Sequence, residues 1–281
     1  MTRGRQPMTL QEAAERLGVH YMTAYRYVRT GKLPAEKVGV HWMVDRTDVD
    51  RLLTAPTTRR PRGSVRSEGP AKLAARMVDG DEAGAWTIVE NALTSTLDPQ
   101  DVHLDLLAPA LRRIGDDWEA GRLSVADEHR ATVVAGRLIG RLGPRFARRG
   151  RKRGVVVVAA PSGETHALPG AMLSVLLRGV GFEVVDLGAD VPAASMVEAA
   201  EHATRLVAVL IGVTSTGHDK TVRAAITALR AAGVDVPVLV GGAAIGSTEH
   251  AERLGATAWT GPDGATALAT IEEVITDAAT G

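Results

Sequence analysis

His166 offers the most chemistry in this chain. It lies in the run Glu164-Thr165-His166-Ala167-Leu168-Pro169-Gly170, a few residues past a stretch of valines and alanines. A neutral imidazole ligates transition metals well, and a carboxylate two residues earlier can orient the ring or hold its other N–H. A lone histidine in a loop is otherwise a capped or solvated residue, so its neighbours must decide. Three groups could join it. Thr214-Ser215-Thr216 supplies small hydroxyls, and Gly241-Gly242 supplies backbone that a ligand can approach closely. Trp118 is followed, after nine residues, by Glu128-His129. An indole can shield a flat ligand and a carboxylate can accept from hydroxyls. Read alone, Trp118 is equally a core residue, and Glu128-His129 a solvated pair on a helix. His103 reads as a surface residue. No acid–base pair or nucleophile constellation argues for catalysis, so the chain is expected not to be an enzyme. The absence of Cys excludes disulfides, thiolate zinc sites and cysteine nucleophiles.

These residues need elements to position them. From Gly154 onward, apolar runs alternate with helical stretches, giving candidate strands at 155–159, 183–187, 206–213, 236–240 and 256–259. Continuous Val/Ile/Leu runs indicate parallel strands buried on both faces. The expected fold of residues 151–281 is therefore a doubly wound, five-stranded parallel sheet of the flavodoxin or Rossmann kind. Such a sheet binds ligands at the carboxyl ends of its strands, where the His166, Thr214–Thr216 and Gly241-Gly242 loops fall. Gly241-Gly242-Ala243-Ala244-Ile245-Gly246 is not a dinucleotide fingerprint, because it follows the fourth strand and lacks the acidic partner. Residues 71–150 carry Leu73, Met77, Ile88, Leu93, Leu106, Leu107, Leu111 and Ile114 at helical spacing, which predicts a four-helix bundle. Asp98-Pro99 reads as a helix start. Residues 54–70, rich in Pro, Gly, Ser, Thr and Arg, read as a flexible basic linker.

The first 53 residues form a separate head. Thr9 followed by Glu12 is a capping box, and Leu10, Ala13, Ala14 and Leu17 give that helix one buried face. A second helix over about 22–30 would present Thr23, Arg26, Tyr27 and Arg29, with Lys32 opening a hairpin or wing that runs to Val44. Residues 48–53 close the unit as a short helix. Residues 1–66 hold 13 Lys+Arg against 6 Asp+Glu, a net of +7 balanced by −7 on the remainder. A basic head on an acidic body suggests that the head meets the polyanion.

The head resembles the excisionase-like branch of the MerR-type winged helix-turn-helix. That resemblance implies a recognition helix in the major groove of promoter or operator DNA, contacted by Thr23, Arg26, Tyr27, Arg29 and Lys32. Tyr27 and Trp42 serve equally as residues of its small core. The Glu164–Gly170 run resembles the acidic-x-His-x-x-Gly signature of cobalamin-binding domains that displace the cofactor's own base. Here three residues rather than two separate His166 from Gly170. Asp186–Pro192 resembles the family's second loop, with Leu187 and Val191 against the cofactor. Thr214-Ser215-Thr216 stands where the family has Ser-x-Leu. The resemblance implies that His166 is the lower ligand of cobalt, oriented by Glu164, with Thr165 also binding the cofactor. It further implies that Gly170, Thr214, Ser215, Thr216, Gly241 and Gly242 receive the nucleotide tail.

Trp-x9-Glu-His in a bundle before such a domain resembles light-responsive, adenosylcobalamin-binding transcription factors of the CarH/LitR type. Trp118, Glu128 and His129 would then line the upper face, with His129 a candidate upper ligand. Glu119, not histidine, follows Trp118, which departs from members that place an imidazole over cobalt after illumination. The implied function is a cobalamin-dependent transcriptional regulator, a repressor, using adenosylcobalamin as photoreceptor and changing its homo-oligomeric state, dimer or tetramer, with light. A non-photic cobalamin or corrinoid sensor and a corrinoid methyl carrier are the alternatives. With no signal-peptide core and no apolar run of membrane length, the chain is expected to be cytoplasmic and without a membrane partner.

Overall fold

The structure, a computed structural model, describes residues 7–17, 24, 28, 33–38, 41–54, 65–95, 99–146 and 150–280. It divides into two compact units, residues 1–63 and 64–281.

The first unit is built on the predicted capping box. Thr9 Oγ1 accepts from the Glu12 backbone N–H at 3.2 Å, and Glu12 Oε2 accepts from the Thr9 backbone N–H at 2.7 Å. This starts helix α1 (Leu10–Arg16), whose Leu10, Ala13 and Ala14 are buried. Strand β1 (Pro7–Thr9), β2 (Ala35–Val38) and β3 (His41–Asp45) make an antiparallel sheet in the order β1-β3-β2. The β2–β3 hairpin is the expected wing; the pairing of β1 was not legible in its three residues. Helix α2 (Arg46–Thr54) closes the unit. Ala24 and Val28 are helical and join this core, with Trp42 packed against it. Thr23, Arg26, Tyr27, Arg29 and Lys32 lie outside the described residues.

The second unit begins inside the stretch expected to be linker. Helix α3 (Val65–Val78) includes residues 65–70, Pro70 among them. Two local facts explain the helix: Glu68 pairs with Lys72 one turn on at 2.7 Å, and Gly69 lets the helix approach Leu106, whose methyl would lie 3.2 Å from an added Cβ. Helices α4 (Glu82–Ser95), α5 (Pro99–Val102), a π-helical turn (His103–Leu107), α6 (Ala108–Glu119) and α7 (Val125–Phe146) complete the bundle. Asp98, the expected cap of α5, is outside the described residues.

The sheet of the same unit runs β5-β4-β6-β7-β8, all parallel: β4 (Val155–Ala159), β5 (Glu183–Asp186), β6 (Leu206–Gly212), β7 (Val238–Gly241) and β8 (Ala258–Trp259). Helices α8 (Leu168–Gly179), α9 (Ala193–His202), α10 (Asp219–Ala231), α11 (Thr248–Leu254) and α12 (Gly264–Thr280) cover it. Every residue of β4 is buried, as a two-sided strand requires. The order reverses around β4, so the crevice of this open sheet opens where the His166 loop begins.

Bundle and sheet share one core. Leu73, Leu107, Leu138 and Leu142 belong to the same buried cluster as Val156, Leu176, Leu210 and Ile271. His103, expected at the surface, is fully buried and edge-on to Phe146, with ring centroids 5.8 Å apart. Its ring nitrogens have only a loose contact with the Met172 backbone, short of full hydrogen-bond geometry. The π turn adds a residue to the helix and carries this side chain inward. Regular helical spacing could not show that.

Candidate functional site

The site grows from one buried carboxylate. Glu164 follows a turn closed by its own N–H to the Pro161 carbonyl at 2.9 Å, and its side chain is 0% exposed. Five donors converge on it. Oε1 accepts from the His166 backbone N–H at 3.0 Å and faces His166 Nδ1 at 2.5 Å. Oε2 accepts from the backbone N–H groups of Thr214 and Ser215, at 2.7 and 2.8 Å, and from the Ser215 hydroxyl at 3.0 Å. Burial raises the pKa of Glu164, but hydrogen bonds led by those from the Ser215 and His166 backbone outweigh it, holding the group at about 2. The residue is therefore a carboxylate at neutral pH.

That charge decides the tautomer of His166. In the neutral ring, an ionised acceptor beside Nδ1 keeps the proton there and leaves the lone pair on Nε2. The His166 side chain is 48% exposed, and Thr165 beside it is exposed too. An anchored yet open imidazole is what a single-histidine metal ligand requires. Among the described residues no three His, Cys, Asp or Glu side chains converge as a metal cage. A metal arriving in its own macrocycle needs only one such nitrogen from the protein.

Three loops hold this arrangement at the carboxyl edge of the sheet. The loop after β5 is bound to the His166 loop by Gly163 N–H to Asp190 Oδ1 at 2.7 Å and Asp190 N–H to the Glu164 carbonyl at 2.8 Å. Asp190 adopts a left-handed backbone, φ 55°. Val191 is buried and Leu187 half-buried here. Ser215 extends the network: having given its proton to Glu164, its oxygen can accept from His218 Nε2, 3.0 Å away. Sequence reasoning missed His218, whose ring lies 3.3 Å from where a Cβ on Gly163 would stand. Thr214 contributes its backbone rather than its hydroxyl.

The glycines divide into two kinds. A Cβ on Gly241 would lie 1.9 Å from Thr260 Oγ1, and one on Gly242 (φ 108°) 2.3 Å from the Val213 carbonyl oxygen. Both are demanded by the protein's own packing, which the expectation of a ligand path did not anticipate. Gly170 differs. A Cβ there would meet only Val158, at an ordinary 3.5 Å, so the fold alone does not demand glycine. The chemistry of the residues present, one open imidazole backed by a buried carboxylate, fits a corrinoid whose metal His166 would hold. A cavity of about 500 Å³ lies alongside, lined by Ser215, Thr216, Asp219, Lys220, Arg223 and His250.

Trp118, Glu128 and His129 flank the turn between α6 and α7. Trp118 is 45% exposed at the end of α6. Glu128 bridges His129 Nδ1 at 2.8 Å and the Thr132 hydroxyl at 2.7 Å in the first turns of α7. The His129 side chain is 74% exposed.

Fold and site together define a corrinoid-binding protein with a helical bundle ahead of its α/β domain. The sequence matches a B12-binding-domain model over residues 71–142 and another over 154–271, and a helix-turn-helix model over 7–56. It is 30% identical over 195 residues to a dimethylamine corrinoid protein of Methanosarcina barkeri, covering 66% of this chain and 87% of the relative. A trimethylamine corrinoid protein of Methanosarcina acetivorans is 26% identical over 191 residues, 66% of this chain and 88% of that one. The solved monomethylamine corrinoid protein of Methanosarcina barkeri superposes with a TM-score of 0.62 at 22% identity, over 72% of this chain and 96% of that one, which shows the shared fold. The chain belongs to the B12-binding corrinoid protein family and carries a helix-turn-helix domain at its head. Among the described residues no helix is long and apolar enough to cross a membrane.

Proposed function

We propose that the chain is a cobalamin-dependent transcriptional regulator, a repressor, that binds promoter DNA through its head and senses light through adenosylcobalamin. The single observation that carries this reading is the helix-turn-helix match at 7–56, joined on one chain to B12-binding matches at 71–142 and 154–271. A methyl carrier has no use for such a head. The adenosyl form would supply a cobalt–carbon bond that light can break. His166 would hold the lower face, positioned by the Glu164 carboxylate. Trp118, Glu128 and His129 would line the upper face, with His129 the imidazole available there because Glu119 follows Trp118. In this reading the protein binds its cofactor and performs no catalysis. Cofactor that favours one oligomeric state, dimer or tetramer, must shift its population by its differential affinity, and several heads on one assembly bind tandem sites more tightly than one.

The alternative with specific support is a corrinoid methyl carrier, because the relatives above are named as methylamine corrinoid proteins. One experiment separates the readings. The chain is reconstituted with adenosylcobalamin, and binding to its own promoter and elution volume are followed in the dark and after green light. Dark binding lost on illumination, with a change in assembly size, is expected. Binding that follows cofactor but ignores light indicates a non-photic sensor, whereas methyl transfer without DNA binding indicates a carrier. His166→Ala should weaken cobalamin binding and abolish the histidine-ligated spectrum. An unchanged spectrum removes His166 as ligand.

A further inference from the structure

Residues 137–153 carry eight cations, Arg137, Arg141, Arg145, Arg148, Arg149, Arg151, Lys152 and Arg153, and no carboxylate. With residues 1–66 at +7 and the whole chain neutral, the remainder of the body, 67–136 and 154–281, carries −15. The cobalamin-binding unit is therefore an acidic body bearing one dense basic island. Helix α7 organises the start of that island. Arg137, Arg141 and Arg145 recur every fourth residue, on one face, about 6 Å apart along the axis.

Their partners differ. Arg137 is neutralised by Glu82 at 2.8 Å, and Arg153 is paired with Glu272. Arg141 and Arg145 have no carboxylate partner among the described residues. Instead both lie over the Trp86 indole, their Cζ atoms 3.8 and 5.2 Å from the ring centroid. Trp86 is buried while both arginines are exposed. Stacking restricts the two guanidiniums without consuming their N–H donors, so less side-chain freedom is lost when they bind. A pair of held, unneutralised forks suits phosphate groups, which accept from arginine in a bidentate manner.

We infer that the Trp86–Arg141–Arg145 face is a second DNA contact that grips backbone phosphates beside the site read by the head. This rests on the DNA-binding reading above. Once the head is bound, the body is held close to the same duplex, which raises the effective concentration of phosphate at this face. Contacts of this kind add affinity and salt dependence but no sequence choice. A second copy of the chain, presenting its acidic surface, is the competing occupant.

The test uses the full chain with adenosylcobalamin in the dark, titrated against a duplex of its own promoter over a range of salt concentrations. Arg141→Gln/Arg145→Gln should bind several-fold more weakly at low salt. Its log–log salt slope should be shallower by about 2, near 0.9 for each phosphate lost. Arg141→Lys/Arg145→Lys should restore the slope, which distinguishes lost charge from damaged folding; a lysine pair whose slope stays as shallow as the glutamine pair's overturns the inference. Unchanged affinity and slope also overturn it, and if Arg26→Ala in the head still abolishes binding, the proposed function stands. Unchanged DNA affinity with altered elution volume overturns it too and gives the face to contacts between copies. A parent chain that binds no DNA defeats the proposed function and this inference together.

Discussion

Two histidines of this chain show how environment, not residue type, sets chemistry. His166 has its Nδ1 fixed by a charged, buried acceptor and its ring open to solvent. His103 is fully buried, and desolvation lowers its pKa from 6.5 to about 4, outweighing the Met172 backbone contact, which raises it. Between those two values the unfolded chain holds a proton on this residue that the folded chain does not, so stability falls as pH drops from about 6.5 to about 4. The full loss is on the order of 3 kcal/mol. His103→Leu should remove this acid-side loss, so that its stability falls less than the parent's between pH 7 and 4. Urea denaturation of both proteins between pH 4 and 7 checks it. Parallel curves for the two proteins over that window would show that His103 is not the titrating group.

At the level of elements, the loops at the sheet's carboxyl edge are built as one piece. Glu164 ties the loop after β4 to the loop after β6, and Asp190 ties it to the loop after β5. The loop after β7 is bound in turn, Val213 N–H donating to the Gly241 carbonyl at 2.7 Å and Ala244 N–H to the Val213 carbonyl at 3.1 Å. Gly242 permits that last crossing. Gly242→Ala forces a left-handed residue, costing roughly 1–3 kcal/mol for the conformation alone, and drives a methyl into the Val213 backbone. A lowered urea midpoint, with cobalamin affinity reduced alongside, is expected. A midpoint within error of the parent would mean that the loop relaxes freely. The capping box of α1 and the strand runs were legible because they are local. The π turn and the β1 pairing were not, since neither leaves a periodic signature over so few residues.

For the whole molecule, the shared core makes a thermodynamic claim. Bundle and sheet bury Leu142, Leu176, Val156 and Ile271 in one cluster, so the second unit should unfold cooperatively. Two variants, one keeping only Trp86 in the bundle and one keeping only Trp259 on β8 as the fluorophore of this unit, should give coincident urea transitions. Leu176→Ala, which opens a cavity at the junction, should shift both by the same amount, about 2–5 kcal/mol. Separate midpoints would show two independently stable domains.

The sequence by itself determined the parts that depend on neighbours along the chain. These are the five apolar strands, the bundle's helical stripes, the capped first helix, and the His166, Ser215 and glycine positions at loop ends. Each is written in periodicity or in turn chemistry within a few residues. What only the tertiary structure decided depends on residues far apart meeting. Thr214 and Ser215 reach Glu164 across some fifty positions, Thr260 fills the space that makes Gly241 obligatory, and His103 turns inward against α8 and Phe146. Burial and hydrogen-bond partnership are set by what packs on top of a residue. No local pattern carries that information.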